Sequence, residues 1–318
     1  MRNHCRKIAL PIALAAGFAF LAWTGLGCRP NEGESPTSGS LVVYTAESVV
    51  PPIKEIIDEF NRLYKNAHIS LVVTTSREAI VKLLNNEARV IVAARSLNGE
   101  EQDVIRRYEL YVDSIRIAYD GIAAVVHSSN PVNQLSLNQL GQIVTGRLRS
   151  WRELSPKGRP SPGIFVAIGG PNTSTYEVIK TQVALGELLT TRLYPCSTSS
   201  QVIELTAHRP EAIGFVANGW LGKDSTNVKV LELGTEQYFT DSVGRQVKYF
   251  APEQAHIYRG FYPLRRTIYI FSREKGFGLG AGFITYVASA AGQTIIKNHG
   301  LVPTTQKVRL TRPSTETP

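Results

Sequence analysis

A short apolar strand pattern, a turn rich in Ser and Thr, and an amphipathic helix follow one another in this order at three places. The predicted strands cover residues 41–44, 69–73 and 164–168, and the helices after them begin near Pro51, Ala79 and Tyr176. The first residues of a helix present free N–H groups and a partial positive charge, and hydroxyl side chains add further donors. Because strands of an open α/β sheet end along one edge, three such turns can converge on a small oxyanion. The repeat therefore predicts an α/β protein with an anion site.

Two of the three turns also carry the pattern of an ordinary helix cap. Thr75 with Glu78, and Ser174 with Glu177, have the spacing of a capping box. A Ser or Thr cap stabilises a helix by about 1 kcal/mol whether or not the protein binds a ligand. Each turn taken alone therefore indicates a structural cap, and only the repetition after three strands favours a binding site.

The wider pattern supports an α/β fold. From residue 41 to about 220, strand-like apolar runs alternate with helical patterns. Apolar residues within 53–60 recur at helical spacing, as expected of a helix that covers a sheet. Residues 226–254 predict extended structure, and residues 283–296 predict a single closing helix.

The N-terminus has the pattern of an export signal. Arg2, Arg6 and Lys7 precede an apolar run over residues 8–26, and small residues lead to Cys28. We expect residues 1–27 to be a lipoprotein signal peptide and Cys28 to be the lipidated first residue of a protein held in the bacterial cell envelope, on the periplasmic side. An uncleaved anchor helix is the alternative, since the run is almost long enough to span a bilayer.

Flexible segments are predicted at both ends of the mature chain. Residues 28–40 are rich in Pro, Gly, Ser and Glu, as is typical of a tether, and residues 311–318 form a loose tail. Loss of residues 1–27 removes three positive charges, which lowers the formal net charge from +9 to +6. A moderately basic mature protein can attract an anion electrostatically, or the charge can simply keep it soluble.

Composition and motifs exclude several other functions. Hydrophobic residues make up 43% of the 318 residues and charged residues 19%, which is typical of a globular protein. The sequence has no block of Lys and Arg interleaved with aromatic residues, so it does not indicate a nucleic-acid-binding protein. The five His residues after position 28 lack metal-ligand spacing. Once the signal and Cys28 are set aside, Cys196 has no partner for a disulfide. Without a nucleophile elbow or a phosphate loop, we expect no enzyme, cofactor or metal.

Several arginines are candidates for contact with an anion. Arg95 follows a buried strand at its carboxyl end, where it is either a ligand or a solvated loop residue. Arg89 opens the same strand at the other end and is expected at the surface. Arg265 and Arg266 precede a strand near a possible hinge, and we expect at least one of them to be exposed. Asp120 begins a predicted turn. Whether Asp120, Arg89, Arg265 or Arg266 contacts the ligand is left open.

At this point the order and spacing of motifs across residues 40–305 resemble the substrate-binding proteins of bacterial phosphate ABC transporters. The matching segments are residues 119–126, 130–132, 135–154, 212–216 and 292–303. The resemblance implies a type II periplasmic-binding-protein fold with two α/β lobes, two hinge-crossing strands and a ligand cleft between the lobes. Lobe 1 would comprise residues 41–120 and 264–310, and lobe 2 residues 121–263.

The resemblance also implies a set of ligand-binding residues. Position by position, these are Ser48, Val49 through its amide, Ser76, Arg95, Thr173, Ser174 and Thr175. Two positions depart from the family pattern: Gly169 stands where many members carry an Arg, and Arg89 where they carry an Asp. These changes leave the preference for phosphate over sulfate open.

The function implied is that of a monomeric lipoprotein that captures inorganic phosphate and delivers it to an ABC permease. The alternatives are a binding protein for another oxyanion, such as sulfate, molybdate or a phosphorylated metabolite, and an envelope sensor or enzyme on the same fold.

Overall fold

The computed structural model describes residues 34–155, 163–222, 226–241 and 244–305. The predicted signal peptide, Cys28 and the predicted tail lie outside the described residues. The strands are β1 Ser38–Ala46, β2 Asn66–Thr74, β3 Val90–Ala93, β4 Asp113–His127, β5 Gln134–Ser136, β6 Phe165–Gly169, β7 Leu193–Cys196, β8 Ala212–Ala217, β9 Val228–Val230, β10 Glu232–Asp241, β11 Gly244–Phe250, β12 Arg265–Ser272 and β13 Val302–Pro303.

The helices lie between these strands and cover the sheet. They are α1 Val50–Leu63, α2 Ser76–Leu84, α3 Gly99–Arg107, α4 Leu137–Val144, α5 Ser174–Val178, α6 Ser199–His208, α7 Gln254–Arg259, α8 Leu279–Ala288 and α9 Ala290–Asn298. A 3-10 turn over Glu47–Val49 precedes α1, and a π-helical turn over Ile179–Val183 extends α5. The predicted capping box at Thr75 and Glu78 is confirmed at the start of α2.

The main sheet has the order β2-β1-β3-β12-β4-β8-β6-β7, and β9 and β13 both pair with β4. The strands on either flank run parallel: β1 pairs with β2 and β3, and β6 with β7 and β8. β12 and β4 are antiparallel neighbours in the middle. A separate sheet of β11, β10 and β5 accounts for the extended structure predicted over residues 226–254.

β4 is long enough to belong to two units. As far as Gly121 it pairs with β12, and from Ile122 onwards it pairs with β8. One large hydrophobic cluster, which includes Phe60 and Phe283, packs on the first side, and another, which includes Trp151, packs on the second. The expected two-lobed α/β fold is therefore confirmed, while the residue limits of the lobes stay a prediction.

Asp120 and Gly121 were expected in a turn, and that expectation is wrong. Both lie inside β4, where they oppose Arg266 and Arg265 of β12. A local Asp-Gly pair indicates a turn only when no long strand ladder competes for its backbone hydrogen bonds.

Two further expectations change at the chain's ends. Residues 38–40 of the predicted tether begin β1 and pair with residues 66–68 of β2. The single closing helix is two helices, because Ser289 ends α8 and caps α9. Within the described ranges no single helix is long and apolar enough to cross a membrane, and only α8 with α9, bent by 62°, reach that length together.

Candidate functional site

A small cavity lies where turns from both lobes meet. Its volume is about 20 Å³, compared with roughly 10–15 Å³ needed on this measure for one water molecule. Four turns that each follow a strand supply most of its lining, at residues 46–48, 74–76, 173–175 and 196–199. The cavity therefore suits a ligand of a few atoms that is held from several directions.

Five of the seven residues predicted to bind ligand line this cavity: Ser48, Ser76, Thr173, Ser174 and Thr175. Ser48 lies in the 3-10 turn before α1, Ser76 begins α2, and Ser174 begins α5. The convergence follows from the parallel strands on each flank, which deliver the following turns to the same edge. The binding role of these residues stays a prediction.

Three of these hydroxyl groups have their oxygen atoms engaged as acceptors. Ser76 Oγ accepts a bond of 3.1 Å from the backbone N–H of Ala94. Ser174 Oγ and Thr175 Oγ1 accept bonds of 2.8 and 3.2 Å from one nitrogen of Arg266. A hydroxyl whose oxygen accepts a bond still has its own O–H to donate. All three side chains therefore retain an O–H group that can donate a hydrogen bond.

Thr173 lines the same cavity but uses its hydroxyl differently. Thr173 is the N-cap of α5, where its Oγ1 accepts from the N–H of Tyr176 at 3.3 Å and donates to the carbonyl of Gly170 at 2.8 Å. The expected cap at Ser174 is thus wrong by one residue, because Ser174 is already helical. Thr173 shapes the turn with its hydroxyl rather than offering a proton to the cavity.

A fourth strand–turn–helix unit, which the sequence reasoning missed, also reaches the cavity. β7 ends at Cys196, Thr198 caps α6 by accepting from the N–H of Gln201 at 3.1 Å, and Ser199 begins the helix. The run of hydroxyl residues at 197–200 was a usable signal. Pro195 in a four-residue strand concealed it, because Pro is rare inside strands.

Glu47 is the one carboxylate among the described residues that line the cavity. Glu47 belongs to lobe 1, and its side chain contacts Ser199 of lobe 2. Its two oxygens accept from the backbone N–H of Ser199 at 2.7 Å and from Ser199 Oγ at 2.9 Å. Burial raises the pKa of the Glu47 carboxyl, while the two bonds from Ser199 and the positive charge of Arg266 oppose this rise. The sequence reasoning did not select Glu47.

Two predicted ligand residues are placed elsewhere. Arg95 forms a two-bond pair with Glu101 at 2.8 and 2.7 Å, and its Nε lies 2.9 Å from Glu177 Oε2 on α5. Its planar fork is therefore occupied by carboxylates, and it does not line the cavity. Val49 is buried in the hydrophobic core of lobe 1 and does not line the cavity either.

The structure also shows the positions of the other three candidate arginines, Arg89, Arg265 and Arg266. Arg89 pairs with Glu34 at 2.6 Å on the surface, as expected. Arg265 is half-buried, with its guanidinium carbon 3.9 Å from the ring centre of Tyr119. Arg266 is buried and Arg265 is only partly exposed, so the expectation that at least one of the pair is exposed is wrong.

Arg266 is paired with a buried carboxylate. Two of its nitrogens donate to Asp120 Oδ2 at 2.9 and 2.7 Å, across adjacent strands. Burial raises the pKa of the Asp120 carboxyl, and the charge and hydrogen bonds of Arg266 oppose this rise. The positive charge of Arg266 thus lies beside the cavity, next to Ser174 and Thr175.

Among the described residues, no group of three His, Cys, Asp or Glu side chains is close enough to hold a metal ion. Cys196 is a free, buried thiol at the cavity edge, and burial raises its pKa. The chemistry that the arrangement offers is hydrogen-bond donation from hydroxyl groups.

Two α/β lobes joined by a long shared strand, with donor groups from both lobes lining one small cavity, define a two-lobed solute-binding protein of the periplasmic type. The chain belongs to the family described as PBP superfamily domain, which it matches over residues 30–291.

Two relatives match most of the chain. The phosphate-binding protein PstS of Bacillus subtilis is 25% identical over 282 residues, which cover 88% of this chain and 86% of the relative. The protein SphX of Synechococcus elongatus is 22% identical over 304 residues, which cover 93% of this chain and 84% of the relative. The resemblance found in the sequence is thereby confirmed, and the Bacillus relative is named as a phosphate-binding protein.

Solved structures confirm the fold. A substrate-binding protein of the phosphate ABC transporter type from Clostridium perfringens, solved with bound phosphate, has a TM-score of 0.70 at 23% identity. An ABC-type phosphate transport receptor from Vibrio cholerae has a TM-score of 0.65 at 19% identity. Each comparison covers 84% of this chain and 100% of the other.

Proposed function

We propose that this chain is an extracytoplasmic solute-binding protein that captures inorganic phosphate between its lobes and delivers it to an ABC permease. The observation that carries the proposal is the set of three hydroxyl donors, Ser76, Ser174 and Thr175, contributed by both lobes to one cavity. Hydrogen bonds to an ionised acceptor are roughly twice as strong as neutral ones. Since each lobe supplies part of the donor set, a bound oxyanion would favour lobe closure.

The size of the cavity supports an inorganic ion over a phosphorylated metabolite. A volume of about 20 Å³ is small compared with a sugar or nucleoside attached to the phosphoryl group. A larger ligand would require the lobes to open and would break the bonds between Glu47 and Ser199.

Glu47 supports phosphate over sulfate or molybdate. A carboxylate in the lining repels a fully deprotonated oxyanion, and the unpaired contact costs several kcal/mol. Phosphate retains a proton at neutral pH and can donate it to such an acceptor. The carboxylate therefore acts against ligands that have only lone pairs to offer.

Isothermal titration calorimetry of the purified chain with phosphate, sulfate and molybdate tests this function. We expect heat of binding with phosphate and at least tenfold weaker binding of the other two, which corresponds to about 1.4 kcal/mol. A protein that binds none of the three contradicts the proposal, and one that prefers sulfate or molybdate identifies the alternative oxyanion.

The location and partners are part of the same proposal. Cys28 would carry the lipid that holds the protein to a membrane on the periplasmic side, where it would act as a monomer. Metabolic labelling with a fatty acid analogue tests this: label that is incorporated by the natural chain should be lost from Cys28→Ala. Cross-linking in cells should recover a permease with the natural chain, and failure to do so would favour a sensor role.

A further inference from the structure

Arg266 occupies an unusual position between the hinge region and the cavity. It lies on β12 directly opposite Asp120 of β4, and only 2% of its side chain is exposed. Two of its nitrogens bond to Asp120, while the third, Nη1, donates to Ser174 Oγ and Thr175 Oγ1. A single guanidinium thus connects the central strands to the first residues of α5.

Stability alone does not explain this arrangement. Two charges removed from water lose solvation free energy, and a well-packed apolar pair in the same place is often equally stable or more stable. If the purpose of the pair were only to join β12 to β4, the contacts between Arg266 and Asp120 would suffice. The third nitrogen is instead directed at two hydroxyl groups that line the cavity.

These bonds have a consequence for the hydroxyl protons. Arginine has donors and no acceptor, so Ser174 and Thr175 must accept from it. Their O–H groups are then available for an acceptor on the cavity side. The same guanidinium brings a positive charge near the cavity, and a low-dielectric surrounding strengthens its attraction for an anion.

We propose that Arg266 is a positioning residue of the anion site, which orients the Ser174 and Thr175 hydroxyls as donors and supplies the attracting charge from behind them. Asp120 holds the guanidinium in the orientation that this role requires. The inference rests on the proposed oxyanion-binding function and adds a residue that does not itself line the cavity.

The test is a double-mutant cycle on phosphate affinity, measured by calorimetry on the full chain. Arg266→Met alone would leave the Asp120 carboxylate buried without its charge partner. Arg266→Met is therefore combined with Asp120→Leu as a pair-removal variant. Ser174→Ala is made in the natural chain and in the pair-removal variant. A thermal melt of each protein checks that it is folded, and Arg265→Met is the matched control.

We expect Ser174→Ala to weaken binding about tenfold in the natural chain. Pair removal should weaken binding by at least that factor, and adding Ser174→Ala to it should cost only about twofold more, because the hydroxyl is no longer oriented. Arg266→Lys should retain more affinity than pair removal, since it keeps the charge. Arg265→Met should leave affinity within about twofold, because Arg265 stacks on Tyr119.

The results separate the two proposals. If the natural chain binds no oxyanion, the proposed function fails. If the natural chain binds phosphate but pair removal leaves the affinity unchanged, the role of Arg266 is overturned. The role is also overturned if the combined variant loses affinity by the product of the factors for pair removal and for Ser174→Ala. Such independence is expected of a pair that is merely structural.

Discussion

Ser76 and Thr173 both line the cavity, yet their hydrogen bonds predict opposite roles. Ser76 is 1% exposed, and its oxygen accepts from the N–H of Ala94, which leaves its O–H for a ligand. Thr173 donates its proton to the carbonyl of Gly170. We therefore predict that Ser76→Ala impairs anion binding and that Thr173→Ala mainly impairs folding.

The magnitudes follow from the bonds that each change removes. Ser76→Ala removes one hydrogen bond to a charged ligand, which is worth about 1.5–3 kcal/mol, and should raise the Kd for phosphate about 10- to 150-fold. It also leaves the N–H of the fully buried Ala94 without its partner. That loss should lower the free energy of unfolding by about 1–3 kcal/mol.

Thr173→Ala provides the matched comparison at the same cavity. Loss of the N-cap should lower the free energy of unfolding by about 1 kcal/mol. Since the cap is present in both the free and the bound protein, this loss largely cancels in the binding equilibrium. We expect the Kd to change by less than about threefold, a difference of about 0.7 kcal/mol.

Calorimetry with phosphate gives the two Kd values, and urea unfolding of each protein gives the two stabilities. Both variants must be folded at the temperature of the titration, which circular dichroism verifies. An equal loss of affinity in Ser76→Ala and Thr173→Ala would refute the reasoning from hydroxyl orientation.

Two further predictions concern the charged residues near the cleft. In the unfolded chain the Glu47 carboxyl has a pKa of about 4.5, and in the native protein its pKa is raised. The native protein therefore keeps a proton at pH values where the unfolded chain has released it. The contribution of this group to the free energy of unfolding falls as the pH rises. Glu47→Gln should therefore gain stability relative to the natural chain between pH 4.5 and 7 in urea titrations, and a constant difference would contradict the raised pKa. Arg95→Gln should change the Kd for phosphate by less than about fivefold, because the Arg95 guanidinium is paired with Glu101 and Glu177 and does not line the cavity. A loss of tenfold or more in calorimetry would restore it as a ligand.

The sequence alone determined the local units and their approximate function. Strand, hydroxyl turn and helix follow from apolar periodicity and capping preferences, which act over a few residues. The order of these units predicted the α/β class, and their repetition predicted that the turns carrying Ser48, Ser76 and Thr173 would meet. The resemblance supplied the two lobes, since local patterns carry no information on how a chain divides around a hinge.

The tertiary structure decided which charges pair. Arg95 faces Glu101 on α3, Arg266 faces Asp120 across the central strands, and Glu47 bonds to Ser199, which is 152 residues away in the chain. An arginine at the end of a strand has the same local sequence signal whether a ligand or a carboxylate fills its fork. Only the packing of the folded chain fixes the distance to each possible partner, and in a buried site that distance determines which charges interact.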